Sequence, residues 1–133
     1  FSGKDKATVV TDTGIISDDI LHRIDDSTLL VLEANYDPHM LRFGPYQPFL
    51  KQRVASDEGH LSNEMAAQAL LMMKRPDFMQ VILAHRSENN NNAVLVTQTI
   101  GKMLVDGGVR IGPEMKLQHG QPNEIVSMQS IKR

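Results

Sequence analysis

Four residues of this chain have side chains suited to metal and proton chemistry and lie where a fold would deliver them together: Asp12, Glu33, His60 and His85. Asp12 and Glu33 each follow a continuous apolar run, His85 follows a third, and His60 stands just before a helical stretch. Asp and His are hard or borderline ligands suited to zinc, manganese or iron. A carboxylate can bridge two cations through its two oxygens, and an imidazole adds a neutral nitrogen donor to one of them. Glu33 and His60 form a natural pair, because a carboxylate fixes the tautomer of an imidazole and stabilises its protonated form, making a proton donor near neutral pH. Each residue also has a plainer role available. An Asp after a strand forms turns, a Glu there is a solvated charge, and a His at a helix start is a polar end group. The four together carry more than any one.

The elements that must position them follow from local patterns. Residues 7–11 (ATVVT) read as a short β-branched strand closed by the turn Asp12-Thr13-Gly14. Ser17 caps a helix with Asp18 and Asp19 in its first turn and Ile16, Ile20, Leu21 and Ile24 on its apolar side. Residues 28–32 (TLLVL) form a second buried strand that runs into Glu33-Ala34-Asn35. Residues 36–56 hold Pro38, Gly44, Pro45 and Pro48 and are expected to be loop, with short helical pieces around Met40 and Leu50.

Residues 62–74 follow as a helix, with Ser62 as N-cap, Glu64 in the first turn and Ala66, Ala69, Leu70 and Met73 inward. Arg75-Pro76-Asp77 ends it, and residues 78–84 read as a buried strand. The run Asn89 to Asn92 leads into a helix over 93–105, with Val96, Ile100, Met103 and Leu104 inward and Gly107-Gly108 at its end. Residues 114–119 and 124–130 alternate as the arms of a hairpin around Gly120-Gln121-Pro122-Asn123. Strands alternating with helices predict an α/β layer fold, read as one unit over residues 1–133. In a sheet covered by helices, the ends of strands line the crevice where ligands bind.

Composition narrows the classes. The chain has 133 residues, a net charge of −2 and no cysteine, which excludes a disulfide scaffold and any thiolate metal site. The balance argues against a general polyanion coat, though Arg42, Lys51, Arg53 and Arg86 are candidate phosphate contacts. The plain alternative for these four is scattered surface charge. No long apolar run or secretory signal pattern occurs, so no membrane partner is expected and the setting expected is the cytoplasm. The chain begins at Phe1 rather than an initiator Met and is expected to be a piece of something longer.

Thr11-Asp12-Thr13-Gly14, Leu32-Glu33-Ala34-Asn35, Gly59-His60-Leu61-Ser62-Asn63 and Leu83-Ala84-His85-Arg86-Ser87 occur in the order found in the second half of metallo-β-lactamase-fold hydrolases. The chain resembles most the YycJ/WalJ-type bacterial exonucleases, and more distantly the tRNA 3′-processing endonuclease. Tyr36-Asp37 and the segment from Arg42 to Tyr46 (RFGPY) share that resemblance, which covers roughly residues 7–100. It implies an α/β fold that is half of a four-layer αββα sandwich. It further implies Asp12 as the carboxylate bridging two divalent ions (Zn or Mn), His85 as a ligand of the second, His60 as the proton donor to the leaving group and Glu33 as the acid that orients it. Asn35, Ser62, Asn63 and Ser87 would neighbour the substrate phosphate.

The family also needs a His-x-His-x-Asp-His cluster and a further histidine before Asp12, and the chain has neither; His22, His39 and His119 lack that spacing and are expected to face solvent. The resemblance therefore implies the carboxy-terminal half of a metal-dependent phosphodiesterase, a 5′-to-3′ exonuclease with DNA rather than RNA as partner. The chain alone is then expected to bind metal poorly, to be inactive, and to associate through the face meant for its missing amino-terminal half. Two alternatives remain beside it: a small-molecule phosphodiester hydrolase of the same fold, and a metal-free interaction domain in which these motifs serve only turns and caps.

Overall fold

Four short β-branched and aliphatic runs pair in the order they occur in the chain. In the computed structural model, which describes residues 5–87 and 89–120, β1 (Ala7–Val10), β2 (Leu29–Glu33), β3 (Met79–Ala84) and β4 (Met115–His119) form one sheet of order β1-β2-β3-β4. Every pairing is parallel, with Val10 opposite Leu32, Leu32 opposite Leu83 and Leu83 opposite His119. Parallel pairing demands a crossover between successive strands, and helices supply it. They are α1 (Asp18–Ile24), α2 (Pro38–Phe43), α3 (Pro48–Ala55), α4 (Asn63–Met72) and α5 (Ala93–Asp106). The α/β class is as expected.

Each helix begins for a local reason. Ser17, Asp37, Ser62 and Asn92 all accept a hydrogen bond from the backbone N–H three residues on, and so satisfy one of the orphan donors of the first turn. Pro38 and Pro48 open α2 and α3, where the missing N–H costs nothing. The prolines of residues 36–56 thus start helices rather than only interrupting them.

Alternation along the strands divides the apolar residues between two faces. Leu30, Leu32, Val81, Leu83 and Met115 join Ile24 of α1, Ala66, Ala69 and Leu70 of α4 and Val96, Ile100 and Leu104 of α5 in one cluster. Leu70, Ile100 and Leu104 have no exposed surface; truncating such a side chain to Ala costs about 2–5 kcal/mol. Val31, Ile82 and Ala84 form a smaller cluster on the opposite face, with Leu29 packed against it. Val9, on that same face by register, is 48% exposed.

The strand expected over residues 114–119 is present as β4, and it is parallel to β3. The second arm of the expected hairpin, residues 124–130, lies outside the described residues, as do Gln121, Pro122 and Asn123 of its turn. Among the described residues no helix is long and apolar enough to cross a membrane.

Candidate functional site

Parallel pairing brings the carboxyl ends of β1, β2 and β3 to one edge of the sheet, and that alone gathers three of the four candidate residues. Glu33 is the last residue of β2 and pairs with Ala84, so His85 follows directly beside it. Asp12 lies two residues beyond Val10, and its backbone N–H donates to Glu33 Oε1 at 2.6 Å. The fourth, His60, arrives through a continuation of β2. Asn35 N–H donates to the Leu61 carbonyl at 3.0 Å and Asn63 N–H to the Tyr36 carbonyl at 2.9 Å, which lays residues 61–63 alongside residues 35–36.

Two glycines set how closely the carrying loops approach. A Cβ on Gly14 would collide with the Ser56 carbonyl, and one on Gly59 with the carbonyls of Arg53 and Val54. Gly14 N–H donates to the Asp57 carbonyl at 2.9 Å and His60 N–H to the Val54 carbonyl at 2.9 Å. Glycine is needed at both places because backbone meets backbone there.

Glu33 is the centre of the result. Its side chain has no exposed surface, yet it accepts from three groups. Oε1 takes the Asp12 N–H, while Oε2 lies 2.6 Å from His60 Nδ1 and 2.9 Å from His85 Nδ1. One carboxylate therefore orients two imidazoles, which meet edge to face with ring centroids 5.3 Å apart. With each Nδ1 turned to Glu33, each Nε2 points away from it. The Asp12 carboxylate, 72% exposed, stands 3.6 Å from His85 Nδ1 and 3.9 Å from His60 Nδ1. Both Asp12 and His85 have φ of 60°, the left-handed region that non-glycine residues seldom occupy. Such conformations cluster where structure around them is committed to a site.

The four side chains offer ligand atoms that all lie within 4.8 Å of one another, a nitrogen and oxygen set compatible with a borderline divalent ion. The hydrogen bonds divide them. Both Glu33 oxygens are engaged in hydrogen bonds, whereas the Asp12 carboxylate stands at 3.6–3.9 Å from the same two Nδ1 atoms, in ion-pair range only.

The other residues expected near the site are placed as follows. Asn35 Nδ2 donates to the His85 carbonyl at 2.8 Å, and Ser87 N–H donates to the Asn35 carbonyl at 2.8 Å. Asn35, Ser87 and Arg86 line a cleft with His60 and His85, together with Tyr46. Ser62 Oγ is engaged as the α4 cap, accepting from Met65 N–H at 3.1 Å. Asn63 has no exposed surface, and its amide is paired with that of Asn91. Arg53, with Leu50 and Val54, lines a second cleft that includes Asp12 and His60. His22, His39 and His119 are exposed, as expected, and none belongs to this group; His119 Nε2 lies 2.8 Å from Thr97 Oγ1.

Three features had no signal in spacing. One is the bond from Glu33 to His85 as well as to His60. Another is Asn91, part of an asparagine run with an obvious turn-forming role. The last is the contribution of Tyr46 and Val54 to the clefts.

No family model matches the chain, and no solved structure matches it. Exodeoxyribonuclease WalJ of Streptococcus pneumoniae serotype 2 strain D39 is 33% identical over 132 residues, covering 98% of this chain and 49% of that protein. Exodeoxyribonuclease YycJ of Bacillus anthracis is 32% identical over 126 residues, covering 95% of this chain and 48% of that protein. The chain spans about half the length of the curated relatives it matches. Along nearly all of its own length, the chain is similar to about half of the WalJ and YycJ exodeoxyribonucleases.

Proposed function

We propose that the complete protein is a divalent-metal-dependent exonuclease acting on DNA, to which this chain contributes the carboxy-terminal half of a four-layer αββα sandwich. The names carried by its relatives support DNA as substrate. The observation that carries the chemistry is the buried Glu33 carboxylate shared between His60 and His85.

Asp12 and His85 would hold a metal. Of the four gathered side chains they are the ones left when Glu33 is spent on hydrogen bonds and His60 is kept for proton transfer. Two ligands fall short of the three that catalytic zinc sites take from protein, so the remaining ligands belong to the other half. This chain alone then binds metal weakly and does not turn over. Two ions bound there would activate water and offset charge on the phosphoryl oxygens.

The residues of this chain do the rest. Glu33 holds the His60 ring with Nδ1 inward, so that Nε2 can give a proton to the departing sugar oxygen. The same carboxylate orients His85 as a ligand, the usual arrangement by which an acid fixes a metal-bound imidazole. Asn35, Ser62 and Ser87 supply polar groups beside the phosphate. Asn63, expected in the same role, acts through its pairing with Asn91, which holds the start of α4 in place.

The test is His60→Ala in the complete protein. Turnover on DNA should fall at least about 100-fold, the ordinary worth of a positioned acid, with metal content retained. Unchanged turnover would sink the proton-donor role. Loss of metal together with turnover would make His60 a ligand instead.

A further inference from the structure

Asn35 lies two residues beyond the end of β2, between the loops that carry the two histidines, and it is bonded to both. Its backbone N–H donates to the Leu61 carbonyl at 3.0 Å, one residue past His60. Its carbonyl accepts from Ser87 N–H at 2.8 Å, two residues past His85. Its side chain fills the interval, with Nδ2 donating to the His85 carbonyl at 2.8 Å. The residue is 8% exposed, and all three bonds are made within this chain.

The side-chain bond falls where the backbone leaves the sheet. β2 and β3 pair as far as Glu33 and Ala84, and Ala34 N–H still donates to the Ala84 carbonyl at 3.1 Å. His85 then turns into the left-handed region, with φ of 60°, before Ser87 pairs again with Asn35. The carbonyl that this turn takes out of the ladder is the one that the Asn35 amide meets. A left-handed residue other than glycine persists only where its surroundings hold it. His85 is held at two points, its ring by Glu33 Oε2 at 2.9 Å from Nδ1 and its carbonyl by Asn35. The ring bond alone leaves the peptide free to turn, and the peptide bond alone leaves the ring free. Together they fix where Nε2 points.

We propose that Asn35 is a positioning residue for His85, its side-chain amide holding the left-handed backbone from which the imidazole is presented to a metal. This rests on the nuclease reading, in which His85 is a metal ligand, and adds to the polar group that Asn35 lends beside the phosphate. It also separates the two histidines. The tie to the His60 loop runs through the Asn35 backbone and survives a change of its side chain.

The experiment titrates manganese(II) alone into the complete protein and its variants, read from loss of the free-ion electron paramagnetic resonance signal. Asn35→Leu keeps the shape of the side chain without its donor, and Asn35→Ala removes it. Each should weaken manganese binding about 10–100-fold, the usual effect of losing an outer partner of a ligating histidine. Ser27→Ala removes a buried hydroxyl, 2.8 Å from Thr8 Oγ1, before the start of β2 and so at the far end of the strands. It should leave manganese affinity within about twofold of wild type, as distant sites act independently.

Unchanged manganese affinity in both Asn35 variants would overturn the proposal. So would an equal loss in Ser27→Ala, since destabilisation alone would then account for it. Weaker binding of an oligodeoxynucleotide in chelator, with manganese affinity retained, would leave Asn35 as a substrate group only and overturn it as well. If neither Asn35 variant folds, the wild-type protein decides. Its Asn35 side-chain amide resonances should move when zinc is added, and unmoved resonances would overturn the proposal. A wild-type protein that binds no manganese would remove the metal-dependent reading itself, and the role of Asn35 with it.

Discussion

Asn63 and Asn91 exchange two amide hydrogen bonds, Nδ2 to Oδ1, at 2.9 and 2.8 Å across 28 residues of chain. Asn91 Nδ2 also reaches the Ala34 carbonyl at 3.2 Å, so the pair joins the end of β2 to the starts of α4 and α5. A buried amide that loses its partner keeps its full desolvation cost. Asn91→Ala should therefore lower the unfolding free energy by about 1–3 kcal/mol, and Asn63→Ala by a similar amount. The double variant should lose clearly less than the sum, because the second truncation removes a group already stranded. Urea denaturation of the four proteins measures the cycle. Strict additivity would show that the two amides do not depend on each other.

Glu33 accepts three hydrogen bonds, and a glutamine in its place would present an NH2 group to at least one of those donors. If Glu33 orients a metal-bound imidazole as proposed, Glu33→Gln in the complete protein should reduce turnover about 10–100-fold, the ordinary effect of losing such an acid. Steady-state rates beside metal analysis provide the check. Full activity would mean that packing alone sets the two rings.

The left-handed backbone at Asp12 costs an L-residue on the order of 1–2 kcal/mol. Asp12→Gly should thus leave stability unchanged or raise it by up to about 1 kcal/mol, while removing the carboxylate proposed as a metal ligand. Asp12→Val should lower stability, since a β-branched residue tolerates this region worst. Asp26, also left-handed with φ of 62°, lies away from the site and supplies the comparison. Asp26→Gly should resemble Asp12→Gly in stability and leave metal binding intact. Thermal unfolding with and without manganese distinguishes these cases. A clear loss of stability in Asp12→Gly would show that the carboxylate contributes more than the backbone costs.

Burial, and then the nearby Arg86 guanidinium, hold the His119 imidazole below its ordinary value of 6.5. Between that lowered value and 6.5 the unfolded chain binds a proton that the folded chain refuses. Stability should therefore be full above pH 6.5 and fall as the pH drops through this window, with the loss complete below the folded value. His119→Gln should flatten that part of the profile. Thermal unfolding at half-unit steps from pH 5 to 8 tests it, and an unchanged slope in the variant would assign the pH dependence to other groups.

The order of amino acids by itself determined the strands and helices, their caps and the four groups at the element ends. These are short-range matters. A serine meets a backbone N–H three residues away, proline sets its own φ, and apolar spacing reports which side of an element is buried. Ser62, Asn92 and the inward residues of α4 and α5 were legible on that basis. Tertiary structure alone decided that β4 lies parallel beside β3, that Glu33 serves His85 as well as His60, and that Asn91 reaches Asn63. It also decided that Leu50, Arg53 and Val54 of α3 border the cleft that holds Asp12 and His60. These contacts join residues far apart in the chain, 52 in the case of His85 and Glu33. Their partners are chosen by strand register and helix packing, which depend on the whole core at once rather than on any local run of residues.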